Sequence, residues 1–395
     1  MYNKTMYGLG SRRSVIRELF EYGKKRAAEV GADKVYDFSL GNPNVPAPAC
    51  VNEAVREILS AENSTAVHGY TSAQGDAEVR KTIADSLNRR FGSSVSPDMI
   101  YMTAGAAASL TITLNALAED GDEFVLLAPY FPEYAVFVTS AGAKPVVVPF
   151  DEKTFAPDLE AFEKAITPKV KGVIVNSPNN PSGAVYDGAT LAKLCGVLKK
   201  KSAEFGRPVV LIADEPYREI VYGDVEVPFL PNLYPDTVVC YSYSKSLSLP
   251  GERIGYIAIA PDMTAGKEIY AAVCGAGRAL GYVCAPSLFQ KVVAKCVDAR
   301  PDIAAYERNR NLIYGALTEM GYTCVRPDGA FYLFVKALEE DANAFADRAK
   351  RLGLLIVPGD DFGANGWVRV SYCVSYDMIE RSLPAFRELM ASYKA

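Results

Sequence analysis

Three apolar runs in this 395-residue chain each end in residues able to do chemistry. KGVIV leads into Asn176-Ser177-Pro178-Asn179-Asn180-Pro181-Ser182-Gly183, VVLIA into Asp214-Glu215-Pro216-Tyr217, and TVVCY into Ser242-Tyr243-Ser244-Lys245-Ser246. Such runs suit strands buried on both faces of a parallel sheet, and ligands of such sheets sit where the loops after the strands converge. Singly, each segment has a plain structural reading: NNPSG makes a turn, and DEPY caps a helix. As a set they bring an amide, an acid, a phenol and an amine to one rim.

That set fits a pyridoxal phosphate site. A lysine condenses with the cofactor aldehyde, and a carboxylate beside the pyridine nitrogen keeps it protonated and the ring an electron sink. Lys245 and Asp214 are the candidates for these tasks. The phenol of Tyr217 and the amide of Asn180 are donors suited to the ring hydroxyl. Ser242, Ser244 and Arg253 in SYSKSLSLPGERIG bracket the lysine closely enough to hold a phosphate. The small residues from Thr103 to Ser109 open a predicted helix whose free backbone N–H groups make an anion site, although the alanines also suit tight helix packing.

These residues need a scaffold, and the pattern supplies one. Between about Met99 and Ile259 the runs EFVLLAP, KPVVVPF, KGVIVNSP, RPVVLIADEP, TVVCYSYS and RIGYIAIA alternate with helical stretches over Glu133–Ala141, Asp158–Ile166 and Gly188–Glu204. The expectation is a mostly parallel sheet between helices. Apolar spacing predicts an amphipathic helix from Ser14 to Val30, and the three prolines of GNPNVPAPA predict a crossing loop. After Pro286 the spacing predicts helices over Ser287–Asp298, Asp302–Met320, ANAFADRAKRLG and Tyr376–Ala391, with strands in VRPDGAFYLFV and GWVRVSYC. The expected division is a larger domain over 46–285 and a smaller α+β domain made of 1–45 and 286–395.

Composition narrows the function. With 42 Lys and Arg against 47 Asp and Glu the net charge is −5, which argues against nucleic acid or an anionic membrane as partner. One histidine, His68, excludes a multi-histidine metal centre, and no metal is expected. Eight scattered cysteines without a C-x-x-C pair read as free thiols, the amino terminus lacks an apolar signal core, and no long apolar stretch spans a membrane. A cytoplasmic enzyme is expected.

The ordered segments SLGNP, YTSAQG, TAGAAASL, PYFPEY, NSPNNPSG, DEPY, SYSKSLSLPGERIG, PDGAFY and WVRVSY span most of the chain. In order and spacing they resemble the class I/II aminotransferases of the fold type I pyridoxal phosphate family, near the aspartate aminotransferase group. The resemblance implies a seven-stranded, mostly parallel sheet in the larger domain. It implies that Lys245 is the cofactor-linked lysine that also moves the proton, Asp214 the pyridinium partner, and Tyr217 and Asn180 the ring-hydroxyl contacts. Ser242, Ser244 and Arg253 match phosphate ligands, with backbone from Ala106 and Ala107. Tyr70 matches a tyrosine reaching the phosphate of a second subunit, which implies a homodimer with shared sites. Arg369 matches the arginine that grips the substrate α-carboxylate, and Gly41 a backbone contact near it; Asn180 also faces substrate.

Three positions depart from the best-known pattern: the ring-stacking aromatic falls on Phe131, where tryptophan is frequent, and Ala106 and Ala107 stand where polar side chains are common. The implied reaction moves an amino group from an L-amino acid to a 2-oxo acid by a ping-pong cycle, of the aspartate/2-oxoglutarate type. Arg278 stands near where some aspartate enzymes carry a cation for the distal carboxylate, and it reads equally well as a surface or interface arginine. Tyr22, Tyr70, Phe131 and Tyr282 offer the alternative of a pocket for aromatic or other apolar side chains. A β-lyase of the same fold would keep Lys245, Asp214, Tyr217 and Arg369. The non-enzyme alternative is a catalytically silent cofactor-binding regulatory module, which would be expected to carry an appended DNA-binding helix-turn-helix.

Overall fold

A twisted sheet of seven strands organises the chain; its spatial order is Ile100–Thr103, Gly255–Ile259, Thr237–Ser242, Val210–Asp214, Val170–Asn176, Glu123–Leu127, Lys144–Val148. The computed structural model describes residues 1–11, 15–61 and 63–394, so Ser14, the expected first residue of the amino-terminal helix, lies outside the described residues. Gly255–Ile259 runs antiparallel to both its neighbours and every other pairing is parallel. Ile100–Thr103 is a strand that none of the six apolar runs contained, and the antiparallel direction of RIGYIAIA was not readable from its composition.

The central strands are apolar along their middles because helices cover both faces. Every residue of Val210–Asp214 and Thr237–Ser242 is buried. One face packs under Ile83, Leu87, Leu194 and Leu198, and the other under Leu110, Leu114, Val138 and Val273. Crossover helices Glu133–Ser140, Leu159–Ala165 and Gly188–Phe205 lie within a residue or two of expectation. Asp158 and Asp187 start the latter two by accepting bonds from the free backbone N–H groups of the first turn.

A second core forms around the antiparallel sheet Val357–Pro358, Trp367–Ser371, Tyr332–Lys336, with helices Ile303–Met320, Ala342–Arg351 and Tyr376–Ala391. The strand in VRPDGAFYLFV begins only at Tyr332. Helix Ser287–Lys295 packs instead on helices Ala49–Ala61 and Ala77–Phe91, with Val292 and Val293 fully buried in the core of the large sheet. This packing is on the larger core, although the helix lies beyond the division expected at 285/286.

The amino-terminal helix, Val15–Val30, buries only Leu19 and Gly23; Leu19 meets Val357 and Phe362 of the smaller core. Between that helix and Ala49 the proline-rich segment is irregular, and it threads between the two cores. No helix among the described residues is long and apolar enough to cross a membrane.

Candidate active site

The strands Val170–Asn176, Val210–Asp214 and Thr237–Ser242 are sheet neighbours, and the pairing sets Asn176 opposite Asp214 and Asp214 opposite Cys240. Their carboxyl ends floor a cavity of about 550 Å³. Lys245, Asp214, Tyr217, Asn180, Ser242, Ser244, Arg253, Ala106, Ala107, Phe131, Gly41 and Arg369 all line it. Tyr70 and Arg278 do not: Tyr70 is 89% exposed, and Arg278 is exposed at the end of helix Gly266–Ala279. Of the aromatic residues considered for an apolar pocket, Tyr22, Tyr70 and Tyr282 are absent from the lining and only Phe131 remains.

Lys245 sits in a single turn, Tyr243–Ser246, started by Ser242, whose hydroxyl accepts from the Ser244 N–H. Its Nζ donates to Gly41 O at 2.6 Å. Burial pulls the amine down to about 8; Cys373 opposes the shift, and Arg253 and Arg369 add to it. A minor part of this lysine, far more than of an ordinary one, is therefore neutral near physiological pH, as a nucleophile and proton carrier requires.

Asp214 ends its strand buried, and burial raises its carboxyl to about 7 against the opposing hydrogen bond from Tyr134. Tyr134 donates to Oδ2, while Oδ1 has no partner. Asn176 Nδ2 holds the Asp214 carbonyl at 2.8 Å, and its Oδ1 accepts the Asn180 N–H at 2.8 Å. This one amide fixes both the acid and the neighbouring amide. Tyr134 and Asn176, in PYFPEY and NSPNNPSG, join the site although nothing in their spacing marks them for it.

Arg369 is 2% exposed. It donates to Asn180 Oδ1 at 2.9 Å and to Ser39 O at 2.5 Å, with its guanidinium 4.7 Å from the Tyr332 ring centre. Its Nε is without a partner. Desolvation weakens its hold on the proton, an arrangement that an arriving carboxylate relieves.

Ser242 and Ser244 share a bond of 2.8 Å, and Arg253 Nη1 reaches Ser244 Oγ at 3.4 Å. Arg253 adopts φ 53°, a left-handed conformation, while Nη1 also bonds Pro250 O at 2.9 Å. Gly105, at φ 85°, precedes the helix Ala106–Leu117, and a side chain there would stand 2.7 Å from the Arg253 guanidinium. Two hydroxyls, a guanidinium and a helix start thus face one corner, a cradle suited to a phosphate dianion.

The residues present fit pyridoxal phosphate. The orphaned Asp214 Oδ1, buried and set at the cavity floor, matches a cationic ring nitrogen, and an opposite charge there draws the carboxyl back to its ionised form. A sheet of this topology with lysine, acid and anion cradle at its carboxyl edge defines a fold type I pyridoxal phosphate enzyme.

The family model for aminotransferase class I and II matches residues 33–386. The chain belongs to that family and is a pyridoxal phosphate-dependent aminotransferase. It is similar to the aspartate/prephenate aminotransferase of Thermus thermophilus, 32% identical over 89% of this chain and 90% of that one. It is also similar to aromatic-amino-acid aminotransferase 2 of Thermococcus litoralis, 28% identical over 96% of each. Among solved structures, an aminotransferase from Eubacterium rectale superposes with a TM-score of 0.98 at 58% identity, covering 100% of both chains. Aspartate aminotransferase from Thermus thermophilus with maleate gives 0.86 at 28% identity, over 96% of this chain and 97% of that one.

Proposed function

We propose that this aminotransferase exchanges the amino group of an acidic L-amino acid for the oxo group of a 2-oxo acid, as a homodimer in the cytoplasm. The observation that carries this reading is the placing of Lys245 and Arg369 around one backbone segment, Ser39–Gly41, above the buried carboxyl of Asp214. A carboxylate on Arg369 brings the substrate's α-carbon within reach of an amine that is partly neutral at working pH.

When bound, pyridoxal phosphate supplies the electron sink for the substrate's α-carbon. In this reading Lys245 would hold the cofactor through Nζ and, with that amine freed, would carry the substrate's α-proton. Asp214 Oδ1 keeps the ring nitrogen protonated, Tyr217 and Asn180 donate to the ring oxygen, and Phe131 covers the ring face. Ser242, Ser244, Arg253 and the N–H groups of Ala106 and Ala107 hold the phosphate. Gly41 and Arg369 orient the substrate carboxylate.

Tyr70 and Arg278, both exposed and outside the cavity, serve it only across a subunit interface, Tyr70 toward the phosphate and Arg278 toward a distal carboxylate. The two cores are proposed as a larger domain carrying helix 287–295 and a smaller one carrying the amino-terminal helix. A second reading, with an apolar substrate side chain, draws support from Ile16, Leu40 and Phe137 in the lining.

The test is an absorbance scan of the holoenzyme while single amino acids are added. Conversion of the cofactor band by aspartate or glutamate, lost in Arg278→Ala, supports the acidic reading. Conversion by tyrosine or methionine alone replaces it with the apolar one.

A further inference from the structure

Tyr332 has no role so far, yet its side chain meets three parts of the site. It lies 2.7 Å from the Tyr217 hydroxyl, and its ring carries the Arg369 guanidinium at 4.7 Å. On its third side stands Gly41, where even a methyl group would fall 2.0 Å from the Tyr332 oxygen. Tyr332 is 2% exposed and begins the strand Tyr332–Lys336, paired with the strand that carries Arg369. The groups facing it are Tyr217, Arg369, Cys373 and Tyr306.

Two phenols in contact share one hydrogen and leave the other free. Burial pushes Tyr332 up to about 12 and Tyr217 well above the usual phenol range, so both keep their protons through the neutral range. If Tyr217 donates to Tyr332, its hydrogen is lost to the cavity. If Tyr332 donates, the Tyr217 hydrogen is available there. A guanidinium on the ring face withdraws electron density from Tyr332 and makes it the better donor of the two.

We propose that Tyr332 is a positioning residue, donating its hydroxyl hydrogen to Tyr217 so that the Tyr217 hydrogen is kept for the ring oxygen of the cofactor. This rests on the proposed contact between Tyr217 and that oxygen. A phenol that accepts a hydrogen bond from a second phenol is itself a stronger donor. Tyr332 thus strengthens Tyr217 without touching the cofactor, and Arg369 fixes the direction.

The test is a spectrophotometric pH titration of the cofactor band in holoenzyme with no substrate present. Losing the Tyr332 hydrogen weakens donation to the ring oxygen and leaves more charge on it, which favours the protonated cofactor. Tyr332→Phe is expected to move the midpoint up by roughly half a unit to one unit, the scale of one net hydrogen bond. In a Tyr217→Phe background the same change should move it by less than about 0.2 units, because the effect passes through Tyr217.

A shift of equal size in both backgrounds, or no shift in either, overturns the proposal. Should Tyr332→Phe fail to fold or load, Gly41→Ala gives the reading, since both phenols stay and the added methyl displaces the Tyr332 oxygen. An upward midpoint that disappears in the Tyr217→Phe background supports the proposal; an unmoved one, or one of equal size in both backgrounds, overturns it. A wild-type holoenzyme without a titrating band would instead sink the proposed Tyr217 contact and this inference together. A normal wild-type titration with an unmoved Tyr332→Phe sinks the inference alone.

Discussion

The floor and the mouth of the cavity are built in opposite ways. At the floor, Asn176, Asp214 and Ser242 sit on hydrogen-bonded neighbouring strands, each 5% exposed or less, with positions fixed by strand register. At the mouth, Ile16 and Arg17 come from a helix with two buried residues, and Arg17 is exposed with no ion pair among the described residues. The floor must hold charged chemistry within a fraction of an ångström, which only a packed scaffold does. On the proposed function the mouth would meet the variable part of the substrate, where a looser element suffices. Chemistry and selectivity are thereby separated in space.

Substitutions can break that separation or sharpen it. Lys245→Ala, at the floor, should lower transamination by on the order of 10⁴-fold and abolish the covalent cofactor band; substantial turnover in steady-state assays would refute its role. Arg369→Ala should raise KM for the amino donor by roughly 10²-fold with a smaller change in kcat, since it removes a two-pronged charged contact made on binding. Saturation kinetics with a single donor would check it.

A third effect concerns stability rather than turnover. In cofactor-free protein, the raised Asp214 carboxyl binds its proton more tightly folded than unfolded between pH 3.8 and about 7. Its contribution is therefore full below that window and is lost as pH rises through it. Asp214→Asn should flatten this fall, which denaturant unfolding at several pH values would reveal. Lys245, lowered to about 8 from 10.5, works in the opposite sense: its burial cost is present below pH 8 and is relieved as pH rises from there toward 10.5.

The smallest effect belongs to the mouth. Arg17→Gln should leave stability within about 0.5 kcal/mol and change the ratio of acidic to neutral donors by less than about tenfold. A loss comparable to that of Arg369→Ala would mean that the mouth, too, carries chemistry.

The same division explains what the sequence disclosed. Floor residues were legible because strands buried on both faces leave apolar runs, and the polar residues after them stand out. Ile100–Thr103 stayed hidden because IYMT is short and flanked by no such signal. Tyr134 and Tyr332 were overlooked because their partners lie 80 and 115 positions away, and tyrosines in apolar surroundings look like core. Arg278 and Tyr70 carried the right residue types, yet only the folded chain shows that neither enters its cavity. The packing of helix 287–295 on the larger core is not legible because an amphipathic pattern names a buried face but not the surface that covers it.

The strand-free stretch Ser39–Gly41 joins these regions. Ser39 O accepts from Arg369 at 2.5 Å and Gly41 O from Lys245 at 2.6 Å, two residues apart on one piece of backbone. A displacement of about 1 Å takes both contacts past useful hydrogen-bond length. The segment works as a double latch: a movement that re-seats it loosens both contacts at once, leaving Arg369 on Asn180 Oδ1 alone and Lys245 without its carbonyl acceptor.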